Sequence, residues 1–239
     1  MKTTRLYTLF ALLMVFAVSC NKPDNPNDSG SANGHSYVDL GLPSGTLWAT
    51  CNVGADKPEG FGDYFAWGET SPKISYNWST YQYSNGGSDN GCNTLTKYCN
   101  NSNFGYNGFS DNLTTLQAID DAATANWGNG WRTPTADEWK ELYFNTTSTM
   151  TTQNGVWGRL FIASNNTSLF LPASGYRWPF GMDYVTNDCY WSSSLYTPSP
   201  DLSDSPDHAL FFGYYASEAR LGSGHRGIGF NVRPVRSSK

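Results

Sequence analysis

Serines and histidines late in the chain are the first residues to consider for catalysis. Three consecutive serines occupy positions 192–194, and His208 and His225 follow downstream. A serine hydrolase of the common α/β type carries its nucleophile on a sharp strand-to-helix turn. No such turn surrounds these serines, and a polar run after an aromatic residue is typical of a strand end. We therefore expect the chain not to be an enzyme.

Carboxylates form a second group that could act chemically. Asp120 and Asp121 are adjacent, and Asp137 and Glu138 lie nearby in sequence. A carboxylate pair can perform acid–base catalysis, but this pattern favours a solvated helix face and a capped helix start. Glu138 is predicted to cap its own helix. Arg132 is predicted to pair with a buried carboxylate and so fix the turn between two helices.

Metal ligands are too scattered in the sequence to predict a metal centre. Calcium needs six to eight oxygen ligands, which the Pro-Asp turns at 200–201 and 206–207 do not clearly supply. A zinc site usually shows closely spaced Cys or His. The chain has no CxxC motif, and His35, His208 and His225 are far apart. The sequence predicts no metal and no cofactor.

The N-terminal residues are typical of an exported chain. Lys2 and Arg5 precede an apolar run at 6–18, which suits a signal peptide and falls short of the roughly 20 residues that span a bilayer. The following 17–20 sequence, Ala-Val-Ser-Cys, resembles the lipobox of bacterial lipoproteins. That resemblance implies a signal peptide at 1–19 and acyl chains such as palmitate on Cys20. The alternative is an ordinary secretory signal cut nearby.

A polar segment follows the predicted lipidation site. From residue 21 to 35 the chain has no aromatic and no branched apolar side chain. Such a segment cannot bury enough surface to offset its ordering entropy. We therefore expect residues 20–35 to be the lipidated cysteine and a flexible tether, and residues 36–239 to form one domain.

Composition restricts the class of domain and its partners. Charged residues make up 15% of the chain and aromatic residues another 15%. This balance is typical of an exported, loop-rich domain that contains β-structure. The formal net charge of −5 argues against nucleic acid and against an anionic membrane surface as partners.

Four cysteines remain if Cys20 carries lipid: Cys51, Cys92, Cys99 and Cys189. In an oxidising compartment they predict two disulfides with three possible pairings. A local Cys92–Cys99 bridge would leave Cys51 to pair with Cys189. The alternative is that one or more remain free buried thiols.

Periodicity predicts an α+β fold with a mainly antiparallel sheet, two helices and long loops. The first helix would follow the capping box at 114–117 and end at Gly128, and the second would begin at Thr135. Strands are predicted on either side of the helices. They fall at 46–52, 63–69, 94–99, 156–163, 168–172, 190–194, 209–215 and 227–235.

Aromatic residues are the strongest binding signal. Six indoles lie in predicted elements or turns and are expected in the core: Trp48, Trp67, Trp127, Trp131, Trp139 and Trp191. The segment 173–207 is rich in Gly, Pro and Asp and is predicted to be a long surface loop, where binding residues tend to collect. Its candidate ligand-binding residues are Tyr176, Arg177, Trp178, Phe180 and Tyr184, with Arg177 as the polar group.

An ordered set of motifs covers nearly the whole predicted domain. They are YVDLGLPSGTLWATCNVGA, FGDYFAWGET, DDAATANWGNGWRTPTADEWKEL, YWSSS and GFNVRPV. Together they resemble the Fibrobacter succinogenes major paralogous domain family, which is abundant in surface lipoproteins of Bacteroides-like bacteria. The resemblance spans about residues 36–236 and implies a C-type lectin-like fold. The tail also resembles the formylglycine-generating-enzyme branch of that fold. The late cysteine pair that binds copper in that branch is missing, because only Cys189 follows residue 99.

These features predict a lipid-anchored protein of the cell envelope, held in the outer membrane and exposed at the surface. The expected role is non-catalytic binding or adhesion to glycan, matrix or another envelope protein. Alternatives are an accessory subunit of a fimbria-like surface assembly and, less favoured, an enzyme of the formylglycine-generating type. Fold alone does not decide between them.

Overall fold

The computed structural model describes residues 29–86, 94–128, 130–178, 181–183, 187–197, 205–215 and 218–238. These residues form mostly antiparallel sheets with two short α-helices, which confirms a sheet-dominated α+β fold. The helices are α1 (Ala122–Trp127) and α2 (Ala136–Phe144). The strands before them are β1 (Gly30–Ala32), β2 (His35–Asp39), β3 (Thr46–Ala49) and β4 (Tyr64–Phe65). Those after them are β5 (Thr146–Gln153), β6 (Val156–Ala163), β7 (Ser168–Pro172), β8 (Tyr176–Trp178), β9 (Gly181–Asp183), β10 (Asn187–Leu195), β11 (His208–Tyr215), β12 (Glu218–His225), β13 (Phe230–Asn231) and β14 (Val235–Ser237).

The first described strands and the last one form a single sheet in the order β1-β2-β3-β14. β1 lies inside the segment predicted as a tether, so the prediction of a tether up to residue 35 is wrong at its C-terminal end. The cause is a hairpin: Asn33 and Gly34 both have positive φ, at 51° and 81°. Asn-Gly at a two-residue turn matches the twist of antiparallel strands, and it pairs Ala32 with His35.

The sheet that carries most of the C-terminal half has the order β12-β11-β10-β13-β4. β10 and β13 are parallel, and the other neighbours are antiparallel. A third sheet has the order β5-β6-β7, and β8 and β9 form a separate hairpin. The prediction that 173–207 is a long surface loop is wrong where β8 and β9 form a hairpin. The strand predicted at 190–194 within this segment is confirmed and forms part of β10.

Aromatic side chains fill the interior. All six indoles predicted in the core are buried, and Trp127 is the most exposed of them at 7%. Trp139 stacks on Phe212 of β11 with a centroid distance of 4.7 Å, which fixes α2 against the large sheet. Among the described residues, no helix has the length and apolarity needed to cross a bilayer.

The start of α1 differs from the prediction. The 114–117 segment is not a cap, because its backbone pairs with β10 through Thr115 and Ser194. Asp121 caps α1 instead, accepting hydrogen bonds from two backbone N–H groups of the first turn. Gly128 ends the helix as predicted. Asp120 and Asp121 are both buried, so the prediction of a solvated face is wrong.

The start of α2 confirms the predicted capping box. The Thr135 hydroxyl accepts from the Glu138 backbone, and the Glu138 carboxylate accepts from the Thr135 N–H. Arg132 adds two hydrogen bonds to the same carboxylate, at 2.6 and 2.5 Å. Burial alone would raise the pKa of Glu138, but the hydrogen bonds from Arg132 and Thr135 lower it below its usual value.

Glu138→Gln is expected to lower the free energy of unfolding by about 1–3 kcal/mol at neutral pH, because charge-assisted hydrogen bonds become neutral ones. A lowered pKa stabilises the fold above the ordinary Glu value of about 4.3 and ceases to do so as the pH falls through the folded-state value. The difference between the two chains should therefore shrink in acid. Urea unfolding of both chains at several pH values from neutral to acid measures this difference in the free energy of unfolding.

Asp137→Asn is the matched control. Its side chain is 88% exposed and, among the described residues, pairs with Lys140 on the same helix alone, so the change should stay within about 0.5 kcal/mol. Equal losses for Glu138→Gln and Asp137→Asn would contradict the assignment of Glu138 as the residue that joins the helix to the preceding turn.

Candidate functional site

An open groove of about 470 Å³ lies where β8, β11 and β12 meet the turn that precedes β13. The β8 hairpin is held there by two backbone hydrogen bonds between Arg177 and Gly229, at 2.8 and 2.9 Å. A smaller pocket, which also borders Trp78, adjoins the groove at Trp178 and His225. Side chains that line the groove include Tyr176, Trp178, His208, Phe211, His225 and Phe230.

The predicted ligand-binding residues separate into three groups. Tyr176 and Trp178 line the groove. Arg177 is not among the lining residues, and its guanidinium lies over the Tyr64 ring at 4.7 Å. Successive residues of a strand face opposite sides, which explains the division. The remaining candidates, 180 and 184 (Phe and Tyr), lie outside the described residues.

Two histidines meet at one end of the groove. β11 and β12 pair in a register that places His208 directly opposite His225, and their ring centroids are 4.2 Å apart. The prediction that the histidines are scattered is therefore wrong for these two. His35 is elsewhere and stacks on Trp127 at 3.7 Å.

A buried carboxylate completes this cluster. Asp207 is 4% exposed, and one of its oxygens lies 3.1 Å from His208 Nδ1 while the other lies 3.5 Å from His225 Nδ1. His225 Nδ1 is buried and has no hydrogen-bond partner among the described residues. Burial alone would raise the pKa of Asp207, but the contacts with the two imidazoles hold it well below its usual range.

Arg226 holds the cluster from behind. Its fully buried guanidinium donates to the carbonyls of Pro206, Tyr98 and Lys97 and to the Tyr81 hydroxyl. Pro206 directly precedes the carboxylate of the cluster, and Arg226 directly follows one of its histidines. A single side chain thus fixes both segments that supply the cluster.

Glycines let the aromatic walls lie close to the backbone. A Cβ at Gly222 would come within 2.7 Å of the Phe211 ring, and one at Gly229 within 2.8 Å of the Tyr76 ring. Real Cβ atoms do not approach so closely, so larger residues at these positions would displace the rings. The glycine-rich sequence of β12 therefore shapes the groove, although it weakens the sequence signal for a strand.

The cysteine prediction is partly overturned. Cys51 and Cys99 are free thiols, so neither the local Cys92–Cys99 bridge nor the Cys51–Cys189 bridge is formed. The Cys99 thiol is buried and donates to the carbonyl of Asn101, which occupies it in a local turn. Residues 20 and 92, the other two cysteines, lie outside the described residues.

Comparisons with known proteins leave the family open. No family model matches the chain, and neither a curated protein nor a solved structure matches it significantly.

Replacing the buried guanidinium tests its role. Arg226→Met should lower the free energy of unfolding by about 3 kcal/mol or more, because it removes the donor of two buried hydrogen bonds and one partly buried hydrogen bond to carbonyls. Arg220→Met on the exposed side of β12 is the control and should stay within about 0.5 kcal/mol. Denaturant unfolding measures both. Similar losses would show that Arg226 is not an anchor.

The thiol assignments can be checked by alkylation of the native, unreduced chain followed by mass spectrometry. Iodoacetamide should modify Cys51, which is half-buried. Cys99 should react only after unfolding, because burial raises the pKa of its thiol and blocks access. A chain reduced before alkylation is the control. Recovery of a Cys51–Cys189 disulfide-linked peptide would contradict the structure.

Proposed function

We propose that this chain is a lipid-anchored protein of the bacterial cell envelope that binds glycans without catalysis, using the aromatic groove beside β8. The observation that carries this proposal is the presence of two half-buried rings, Trp178 and Tyr176, on one wall of an open groove. Rings of this kind stack on the apolar faces of sugars, and tyrosine adds a polar end.

The groove also offers polar groups beside the rings. Ser223, His208 and His225 lie along it, and each carries a hydrogen-bonding side chain suited to sugar hydroxyls. Ligand sites typically combine apolar walls with a few polar groups that fix orientation. This combination supports sugar binding better than docking of a purely apolar ligand.

The family resemblance and the signal sequence support the rest of the proposal. A cysteine after a short apolar run supports lipid attachment at Cys20 and a place in the outer membrane, with the domain exposed at the surface. A C-type lectin-like arrangement is supported by two helices between sheets and by pairing of β3 with the last strand, β14. The only cysteine after residue 99 is Cys189, which weighs against copper chemistry of the formylglycine-generating type.

A second candidate is an accessory subunit of a surface assembly. Phe144 at the end of α2 is 77% exposed and borders an apolar depression of about 300 Å³ with Tyr143 and Leu221. Exposed apolar surface of this kind favours contact with another protein. Stoichiometric copurification of a partner that is lost in Phe144→Ser would favour this candidate.

Glycan-array binding of the full chain in detergent, with and without EDTA, tests the primary proposal. Saturable binding is expected, and Trp178→Ala should weaken it about tenfold or more, since loss of a stacking ring removes roughly 1–3 kcal/mol. Trp157→Ala is the matched control, because Trp157 is 50% exposed on β6 and does not line the groove.

Two results would contradict the proposal. One is the absence of saturable binding to any glycan in either condition. The other is equal weakening by Trp178→Ala and Trp157→Ala, which would place the site elsewhere or show that binding is non-specific.

A further inference from the structure

The structure assigns a zinc-binding site to Asp207, His208 and His225. We infer that these three side chains bind one Zn²⁺ at the end of the groove. One ligand atom from each residue lies within 4.8 Å of the other two. The inference does not rest on glycan binding, since the three ligands alone define it.

The distances suit tetrahedral coordination. Zinc bonds to nitrogen and carboxylate oxygen are roughly 2.0–2.2 Å, so neighbouring ligand atoms of a tetrahedral site lie roughly 3.3–3.6 Å apart. One oxygen of the Asp207 carboxylate lies 3.1 Å from His208 Nδ1, and the other oxygen lies 3.5 Å from His225 Nδ1. Rotation of the carboxylate would therefore bring one of its oxygens and the two nitrogens around one ion.

The ligand chemistry selects the metal. Two imidazoles and one carboxylate are typical ligands of zinc and related transition metals, whereas calcium and magnesium prefer all-oxygen sets. Three protein ligands also leave one position of a tetrahedral ion for water or a bound molecule. His208 and His225 both line the groove, so a metal held by them adjoins the space where a ligand would lie.

One nitrogen of the cluster has only a long contact in the described structure, at 3.5 Å from the Asp207 carboxylate. His225 Nδ1 is buried and makes no hydrogen bond there, and a buried polar atom without a partner destabilises the fold. A metal ion satisfies it. Each imidazole would bind as the neutral ring, with its proton on Nε2 and the Nδ1 lone pair on the metal.

The surroundings hold the ligands in place. Two backbone hydrogen bonds of 2.9 Å fix the ligand segments. The backbone N–H of His208 donates to the carbonyl of Ser205, and the backbone N–H of Arg226 donates to the carbonyl of Asp207. The strand register fixes His208 opposite His225. Ligands fixed in this way lose little freedom when a metal binds, which favours affinity.

Calorimetric titration of the metal-free full chain in detergent with ZnCl₂ tests the inference. One equivalent is expected to bind with a Kd of about 1 µM or tighter, and Ca²⁺ at the same concentration should give no binding heat. His225→Ala and His208→Ala should each weaken zinc binding at least about a hundredfold. His35→Ala, which removes the other histidine, is the matched control and should leave the affinity unchanged.

Two further measurements distinguish loss of the metal site from loss of the folded structure. Co²⁺ binding should give the visible absorption bands of a tetrahedral ion, and Asp207→Asn should abolish them while near-ultraviolet circular dichroism shows the fold intact. Zinc should also raise the Tm of the unmutated chain, because it binds only the folded state.

Binding that survives His225→Ala in a folded chain, or no Tm rise and no binding in the unmutated chain, would overturn the inference. Glycan binding that persists in EDTA alongside absent zinc binding would overturn the metal site alone. Zinc binding without any glycan binding would overturn the proposed function alone.

Discussion

The buried guanidinium of Arg226 is the interaction on which the rest of the structure depends. A charge taken out of water destabilises a fold unless hydrogen bonds and dipoles compensate it. Arg226 has no carboxylate partner among the described residues; three carbonyls, the Tyr81 hydroxyl and the faces of Trp67, Tyr81 and Tyr98 surround it instead. Cation–π contact with desolvated rings adds to the hydrogen bonds. The irregular segment near Tyr98 therefore has a fixed place although it forms no sheet.

A second arginine repeats this arrangement seven residues later. Arg233 is fully buried and donates to Asn52 and to the carbonyls of Ala49 and Thr50, while burial lowers the pKa of its guanidinium. The segment between the two arginines contains β13, which pairs with both β10 and β4. All three strands belong to one sheet, whereas β14, just after Arg233, belongs to the sheet of β1, β2 and β3. The C-terminal segment thus joins two sheets, and Arg226 connects it to the irregular middle of the chain. Because both guanidinium groups donate to backbone carbonyls, their stabilisation requires the backbone segments that carry those carbonyls to stay in place.

The sequence predicts an element correctly where the residues that form and end it lie within one short segment. The strands β6 and β7 match their predicted bounds, and the Thr135 cap forms as expected because its donors and acceptors lie within four residues. The prediction of strands from sequence fails where pairing with another strand, and not the local pattern, makes the segment extended. β5 is a run of threonines with little apolar alternation, and β12 is rich in glycine; both become strands because a neighbour supplies the hydrogen bonds. The tether prediction failed for another reason: composition outweighed the Asn33-Gly34 turn signal.

The candidate site shows the same division. Clustering of aromatic residues singles out Tyr176 and Trp178 in the sequence, but nothing local pairs His208 with His225, because strand register alone brings them together across seventeen positions. Register also places the glycines of β12 beneath Phe211, so one pairing creates both the apolar wall and the imidazole pair. A molecule with an apolar face and an oxygen donor would contact both at once. The β11–β12 register, held at one end by Arg226, is therefore the shared requirement of sugar stacking and metal coordination, although stacking depends on Tyr176 and Trp178 and coordination on the histidines and Asp207.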